Sequence, residues 1–165
     1  KKINNSLDES IISLLTNSVL TYSDLITNRK TDYKFDLEKF TNVNGKTGIY
    51  VQYSQVRARK LLENIEIKNN MVNHLNLNNI DKELLSKLYL FSYFLEQSAL
   101  LNEPHHLANY LYEISNLFNQ FYESEKISEI DELDYLSSKI YITNLFLTTS
   151  QNVMLCLGIV PVSKM

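Results

Sequence analysis

The sequence predicts an all-α protein, and three observations carry that prediction. Only three glycines and two prolines punctuate 165 residues, too few for the tight turns of a many-stranded sheet. Apolar residues recur at spacings of three and four over long stretches, the period of a helix with one buried face. Hydrophobic residues make up 44% of the chain and charged residues 21%, enough to bury a core in one domain of ordinary size. The expected architecture is a bundle of about five long helices with a short extended connector near the N-terminus.

The elements follow in order. Ser6-Leu-Asp-Glu9 has the S-x-x-E form of a capping box, so a first helix is expected from about residue 7 to 26, with Leu7, Ile11, Leu14, Leu15, Val19, Tyr22 and Leu25 on its apolar face. Residues 28–36 are polar, with Tyr33 and Phe35 alternating, and read as an extended connector. Asp36 to Phe40 reads as one capped turn, and Asn42-Val-Asn-Gly45 as a tight turn. A second helix spans about Gly48 to Ile65. The Asn-rich residues 66–80 read as a loop. Asp81 is expected to cap a third helix reaching Leu101, with Leu84, Leu85, Leu88, Phe91, Phe94 and Leu95 as its stripe. Pro104 suits the first turn of a fourth helix, which buries Leu107, Leu111, Ile114, Leu117, Phe118 and Phe121. Residues 123–134 are acidic and read as a solvated linker. A fifth helix then runs to about Leu157, ending at Gly158, and Pro161 keeps the tail "IVPVSKM" from being helical.

Several function classes are excluded at this level. The richest apolar run, Ile140 to Leu157, is broken by Thr, Ser, Asn and Gln, so no membrane span is expected. The start, Lys-Lys-Ile-Asn-Asn-Ser, has neither the apolar core of a signal peptide nor an initiator Met and reads as part of a longer protein. The single cysteine, Cys156, reads as a buried thiol in a reducing compartment. A net charge of −3 does not suit a protein that coats DNA or RNA by charge alone. His105 and His106 are adjacent, which on a helix directs them about 100° apart, and His74 lacks partners, so no metal site is expected. No P-loop, Rossmann or nucleophile-elbow pattern is present, and no catalytic residues are assigned.

One stretch exceeds the needs of a core. In "IYVQYSQVRARK", residues 49–60, Tyr50, Tyr53 and Arg57 fall on one stripe while Val51, Val56 and Leu61 can face inward. Such a stripe is explained most simply by half-buried tyrosines with their hydroxyls in water, and also by a platform on which unpaired bases stack, with Arg and Gln at their edges. Spacing permits both.

Three blocks add a resemblance. "NRKTDYKFDLEKF…NGKTGIYVQYSQVRARKLL" (28–62), "NEPHHLANYLYEISNLFNQFY" (102–122) and "LGIVPVSKM" (157–165) resemble, in order and spacing, the C-terminal end of an arginyl-tRNA synthetase. The resemblance implies a DALR-type anticodon-binding helical domain over residues 47–165, and residues 1–46 similar to the end of the catalytic domain. It implies that Tyr50, Gln52, Tyr53, Arg57, Tyr122 and Met165 line the anticodon-loop surface and that the partner is an arginine tRNA. Leu7, Ile11 and Leu15 would then be partly bare, since that region packs on the catalytic domain in the family. The class I signatures are absent, and Ser163-Lys-Met165 is a chain end and not the family's catalytic loop, so these residues would bind tRNA without activating arginine. ATP and Mg²⁺ would belong to the remainder of the parent enzyme, with no cofactor in this part. A cytoplasmic monomer that binds neither DNA nor membrane is the matching expectation. The competing expectations are a helical protein-interaction module and the anticodon-binding domain of another synthetase.

Overall fold

The organising element of the computed structural model is a central helix, α6 (His105–Ser124), flanked by α1 (Glu9–Leu25), α3 (Gly48–Glu63), α4 (Asn79–Leu88), α5 (Phe91–Leu101) and α7 (Leu133–Cys156). A single turn, α2 (Leu37–Phe40), lies in the connector, and a 3₁₀ turn at Ile127–Glu129 precedes α7. The structure describes residues 8–34, 36–65 and 75–165, and among these there is no strand. The all-α bundle is as expected. None of the described helices is long and apolar enough to cross a membrane.

The buried face of α6 explains its position. Leu107, Leu111, Ile114, Phe118 and Phe121 are wholly or almost wholly out of solvent, at the predicted spacings. Phe118 stacks on Phe146 of α7 with ring centroids 4.1 Å apart and planes 4° from parallel. Two buried tyrosines tie neighbours to this helix pair: Tyr22 of α1 donates to the Ala108 carbonyl at 3.0 Å, and Tyr110 of α6 donates to the Leu88 carbonyl at 3.1 Å. Because Tyr22 belongs to the same apolar core as α3, α6 and α7, that core is continuous across position 46.

Helix α1 starts two residues later than the capping-box reading places it. Asp8 is the cap, its carboxylate accepting from the Ser10 amide at 3.2 Å; Ser6 and Leu7 lie outside the described residues. Phe35, the loop assignment for residues 66–74 and His74 also lie outside them. The apolar face of α1 is less bare than expected at Ile11, because the C-terminal tail covers it: Ile11, Val56 and Val162 form a small separate cluster, with Leu14, Leu15 and Met165 packed against it. The bare apolar residues of α1 are Ile12 and Leu20.

Thr47 caps α3, its hydroxyl accepting from the Tyr50 amide at 3.1 Å and donating to the Asn42 carbonyl at 2.7 Å. At Gly48 the backbones of α1 and α3 come close. A Cβ there would stand 2.3 Å from the Ser18 carbonyl oxygen and 2.6 Å from its carbon, both backbone atoms. Gly48→Ala is therefore expected to push the helices apart and destabilise the fold by about 1–3 kcal/mol; urea unfolding measures it, and an unchanged midpoint would show that the contact relaxes freely.

The expected third helix is two helices. Asn78, not Asp81, is the cap; Asp81 is the reciprocal partner of a capping box, its carboxylate accepting from the Asn78 amide at 3.0 Å. A break at Tyr89–Leu90 then separates α4 from α5, although neither Gly nor Pro is present. Leu84, Leu85 and Leu88 are buried where α4 meets α6 and α7, whereas Phe91 and Phe94 stack on Tyr110 of α6. One straight helix does not serve both contacts. No residue of α5 is fully buried, so Phe91, Phe94 and Leu95 are only partly covered.

Helix α7 ends as predicted. Gly158 adopts φ +72°, its amide bonds the Leu155 carbonyl, and the Ile159 amide reaches back to Met154 at 2.8 Å, which is a Schellman motif. Cys156 is exposed, contrary to the sequence reading, because the buried face of α7 runs through Ile142, Phe146, Val153 and Met154 and leaves it on the other side.

Candidate nucleic-acid interface

The outward stripe of α3 lies beside a polar stripe of α6. Asn116, Asn119, Gln120 and Glu123 recur at three- and four-residue intervals, and together with Tyr50, Tyr53 and Arg57 they line a cleft of about 210 Å³ whose rim includes Val43 and Asn44. Arg57 is the centre of the arrangement. Its guanidinium donates to the Asn119 side-chain oxygen at 3.1 Å and to Glu123 at 2.8 Å. Its Cζ also lies 4.5 Å from the Tyr53 ring centroid and 5.0 Å from that of Tyr122. Burial works against its charge, but the bonds to Glu123 and Tyr53 prevail and raise its pKa, so the cation is held in place.

The neighbouring groups are fixed as well. Asn119 donates to the Ser54 hydroxyl at 2.8 Å, and Ser54 in turn donates to the Tyr50 carbonyl at 3.0 Å, so the Asn119 amide is oriented before any ligand arrives. Tyr50 is half-buried, its hydroxyl 3.3 Å from the Asn116 side-chain oxygen and its ring 5.6 Å from that of Tyr112; burial raises its phenol pKa. Tyr53, with Arg57 over its ring, is 39% exposed and is the most open aromatic of the group.

Of the six residues named from sequence, the structure brings Tyr50, Tyr53, Arg57 and Tyr122 together. Gln52 is placed elsewhere: it is wholly buried, on a side of α3 turned away from the cleft. Its amide donates to the Ser18 hydroxyl and the Val160 carbonyl, both at 2.8 Å, and its oxygen accepts from the Val162 amide at 2.9 Å. The expectation that Gln52 lines the surface is corrected, because its buried polar side chain is saturated by Ser18 of α1 and by the tail instead. Met165 sits in the cluster with Val56 and Val162, outside the cleft lining. Sequence reasoning missed Asn116, Asn119, Gln120 and Glu123. The signal was present as a polar stripe at helical spacing, opposite the apolar face of the same helix.

Two other clusters differ from their sequence readings. His105 and His106 have ring centroids 4.1 Å apart, so adjacency does not separate them, and with Glu103 their ligand atoms lie within 4.8 Å of one another. An internal cation already serves this group: Lys30 Nζ is 2.9 Å from one Glu103 oxygen and His106 Nε2 is 3.3 Å from the other. The Lys30 bond lowers the Glu103 pKa, and burial followed by the neighbouring His106 lowers that of His105. The acidic linker is not wholly solvated either. Glu125 accepts from Lys139 at 2.5 Å and from the Tyr135 hydroxyl at 2.6 Å, and Lys139, fully buried, also meets Asp81 at 2.6 Å.

Comparison with known proteins shows the family. Residues 51–165 match the family model described as the DALR anticodon binding domain. An arginine–tRNA ligase of Francisella tularensis subsp. novicida is 33% identical over 141 residues, covering 81% of this chain and 24% of that protein. One from Alkaliphilus oremlandii is 29% identical over 169 residues, covering 98% and 29%. Among solved structures, the arginyl-tRNA synthetase of Plasmodium falciparum superposes with a TM-score of 0.82 at 25% identity, over 94% of this chain and 28% of that one. That of Thermus thermophilus gives 0.87 at 20% identity over 100% and 29%, which speaks to the fold. The chain spans about a quarter of the length of the curated relatives it matches. With the matched segment containing α6, α7 and all but the first turn of α3, this chain belongs to the DALR anticodon-binding domain family.

Proposed function

We propose that this chain holds the anticodon loop of an arginine tRNA against the cleft between α3 and α6. The observation that carries the reading is the Arg57 cation fixed beside both Tyr53 and Tyr122 at the edge of a polar recess. Tyr53 offers an exposed ring for a splayed base. The side chains of Asn116, Asn119 and Gln120 supply donors and acceptors for its edge. Arg57 is already paired with Glu123, so its first task is to hold the two tyrosines in position. Met165 packs on the Val56 and Val162 cluster, outside the cleft lining, and would meet the RNA only beyond the cleft.

In this reading the chain contributes affinity and orientation, and the bond-making steps with arginine, ATP and Mg²⁺ belong to the remainder of a longer ligase. It would work as a monomer in the cytoplasm, where the other parts of translation are found.

Titration of the protein with an arginine anticodon stem-loop, and with the same stem-loop carrying guanine for its middle cytosine, tests the reading by fluorescence anisotropy. The arginine loop should bind more tightly, and Tyr53→Ala should weaken it by about 1–3 kcal/mol, the usual worth of one stacked base. Equal binding of both loops would remove anticodon reading from this cleft. Undiminished binding by a folded Tyr53→Ala variant would remove the stacking platform, and the absence of any competition by either loop for a bound partner protein would favour an interaction module.

A further inference from the structure

A second recess lies along α6 from the cleft. It has a volume of about 400 Å³ and is lined by Lys87, Leu90, Tyr112, Glu113, Asn116 and Leu117. We infer that it is a second nucleobase subsite, which receives an unpaired base next to the one held at Tyr53; the inference rests on the proposed binding of RNA at the α3–α6 cleft.

Three features support this. Asn116 lines both recesses, and the Tyr112 and Tyr50 rings are in contact, so the two subsites form one continuous track with a shared wall. The lining combines apolar faces, from Tyr112, Leu90 and Leu117, with charged and amide groups, from Lys87, Glu113 and Asn116. A planar heterocycle needs that combination: apolar surface for its faces, donors and acceptors for its rim. Leu90 is 45% exposed and sits at the break between α4 and α5, so the break itself turns an apolar side chain toward the recess.

The charges define the ligand further. Lys46 stands 5.4 Å from the Tyr112 ring centroid and donates to the Asn109 side-chain oxygen at 2.8 Å, a cation at the edge of the track where a connecting phosphate would run. Inside the recess, Lys87 is paired with Glu113, and Glu83 lies close by. Carboxylates repel phosphate and accept from N–H groups. The recess therefore takes the base and not the backbone, and favours a base whose edge carries amino or imino hydrogens.

Stem-loops with one abasic position at a time, titrated against the parent protein, Tyr53→Ala, Tyr112→Ala and Leu90→Ala, test the assignment. Circular dichroism checks that each variant is folded, and Leu90→Ala serves as the variant that leaves Tyr50 untouched. Tyr112→Ala and Leu90→Ala should each weaken the intact loop, Tyr112→Ala by roughly 5- to 100-fold. Removal of one particular base should abolish that loss, and it should differ from the base whose removal abolishes the loss in Tyr53→Ala. If the same base accounts for both losses, Tyr112 only supports the first cleft and the second subsite is wrong. The second subsite is equally wrong if both variants bind like the parent while Tyr53→Ala is weakened, or if no single base abolishes the loss. Full binding by Tyr53→Ala would instead overturn the cleft reading on which this one rests.

Discussion

Replacing Lys139 by methionine will lower the unfolding free energy by about 3–5 kcal/mol, the usual cost of removing one partner from a buried ion pair. Lys139 has no exposed surface, and its ammonium is held by Asp81 at 2.6 Å and Glu125 at 2.5 Å, with the Tyr135 and Phe121 rings 4.6 and 4.9 Å away. Methionine fills the space of the stem but leaves two carboxylates facing each other, one of them wholly buried. Urea unfolding at neutral pH measures the effect, and a loss below about 1 kcal/mol would show that water or an alternative partner compensates. The pair joins the start of α4, the segment after α6 and the start of α7, so the same variant should loosen the end of α6 that carries Tyr122 and Glu123.

This network also sets a pH dependence. Burial disfavours the Lys139 cation, but the bonds to Asp81 and Glu125 prevail and raise its pKa. Its contribution is therefore complete below the unfolded lysine value of about 10.4 and disappears as pH rises through the higher folded value. Burial likewise works against the Glu125 carboxylate, and the bonds from Lys139 and Tyr135 prevail and lower its pKa. Its contribution is complete above the unfolded value of about 4.3 and disappears as pH falls through the lower folded value. In Lys139→Met the Glu125 carboxylate lacks its cation, so protonation relieves it. The stability gap between parent and variant should accordingly narrow as pH is lowered from 7 through the carboxylate range. A gap that widens there would contradict the pairing.

Gln52→Ala should cost about 2–4 kcal/mol and release the C-terminal tail. The Gln52 side chain is the only bonded partner shown for the Val160 carbonyl and the Val162 amide among the described residues, and each buried group left without a partner costs about 1–3 kcal/mol. The apolar cluster of Ile11, Val56 and Val162 would open with it, since Val162 is held in place by this bond. Hydrogen exchange distinguishes local from general loss: the Val162 amide should lose protection first, ahead of amides in α6. Unchanged protection at Val162 would refute the clamp. If Met165 contributes to RNA binding, Gln52→Ala should lower affinity through the tail without any change in the α3–α6 cleft.

Much of this was legible in the chain because it depends on short-range pattern. The α6 core stripe from Leu107 to Phe121 and the Schellman ending at Gly158 follow from spacing and from backbone freedom at one residue. Tyr50, Tyr53 and Arg57 share a stripe because they are three and four residues apart, and no tertiary contact is needed to know it. Errors arose where a distant partner decides. The α4–α5 break carries no Gly or Pro signal; it answers the different demands of α7 and Tyr110. Cys156 is apolar company in sequence but falls on the outer face of α7. Glu125 reads as one acid among many until Lys139, fourteen positions later, is brought to it.

By itself, then, the sequence determined an α-helical chain with one aromatic and basic stripe on the second long helix, since helix formation and facing are set within a turn or two along the chain. Tertiary structure alone decided which polar residues serve that stripe and which serve the core. Gln52 and Arg57 lie on the same helix and are both capable of meeting RNA; packing buries the first against a tail more than 100 residues away in sequence and leaves the second between two tyrosines. The physical reason is that a buried polar group must find partners wherever the fold supplies them, and those partners come from chain separations that local pattern does not encode.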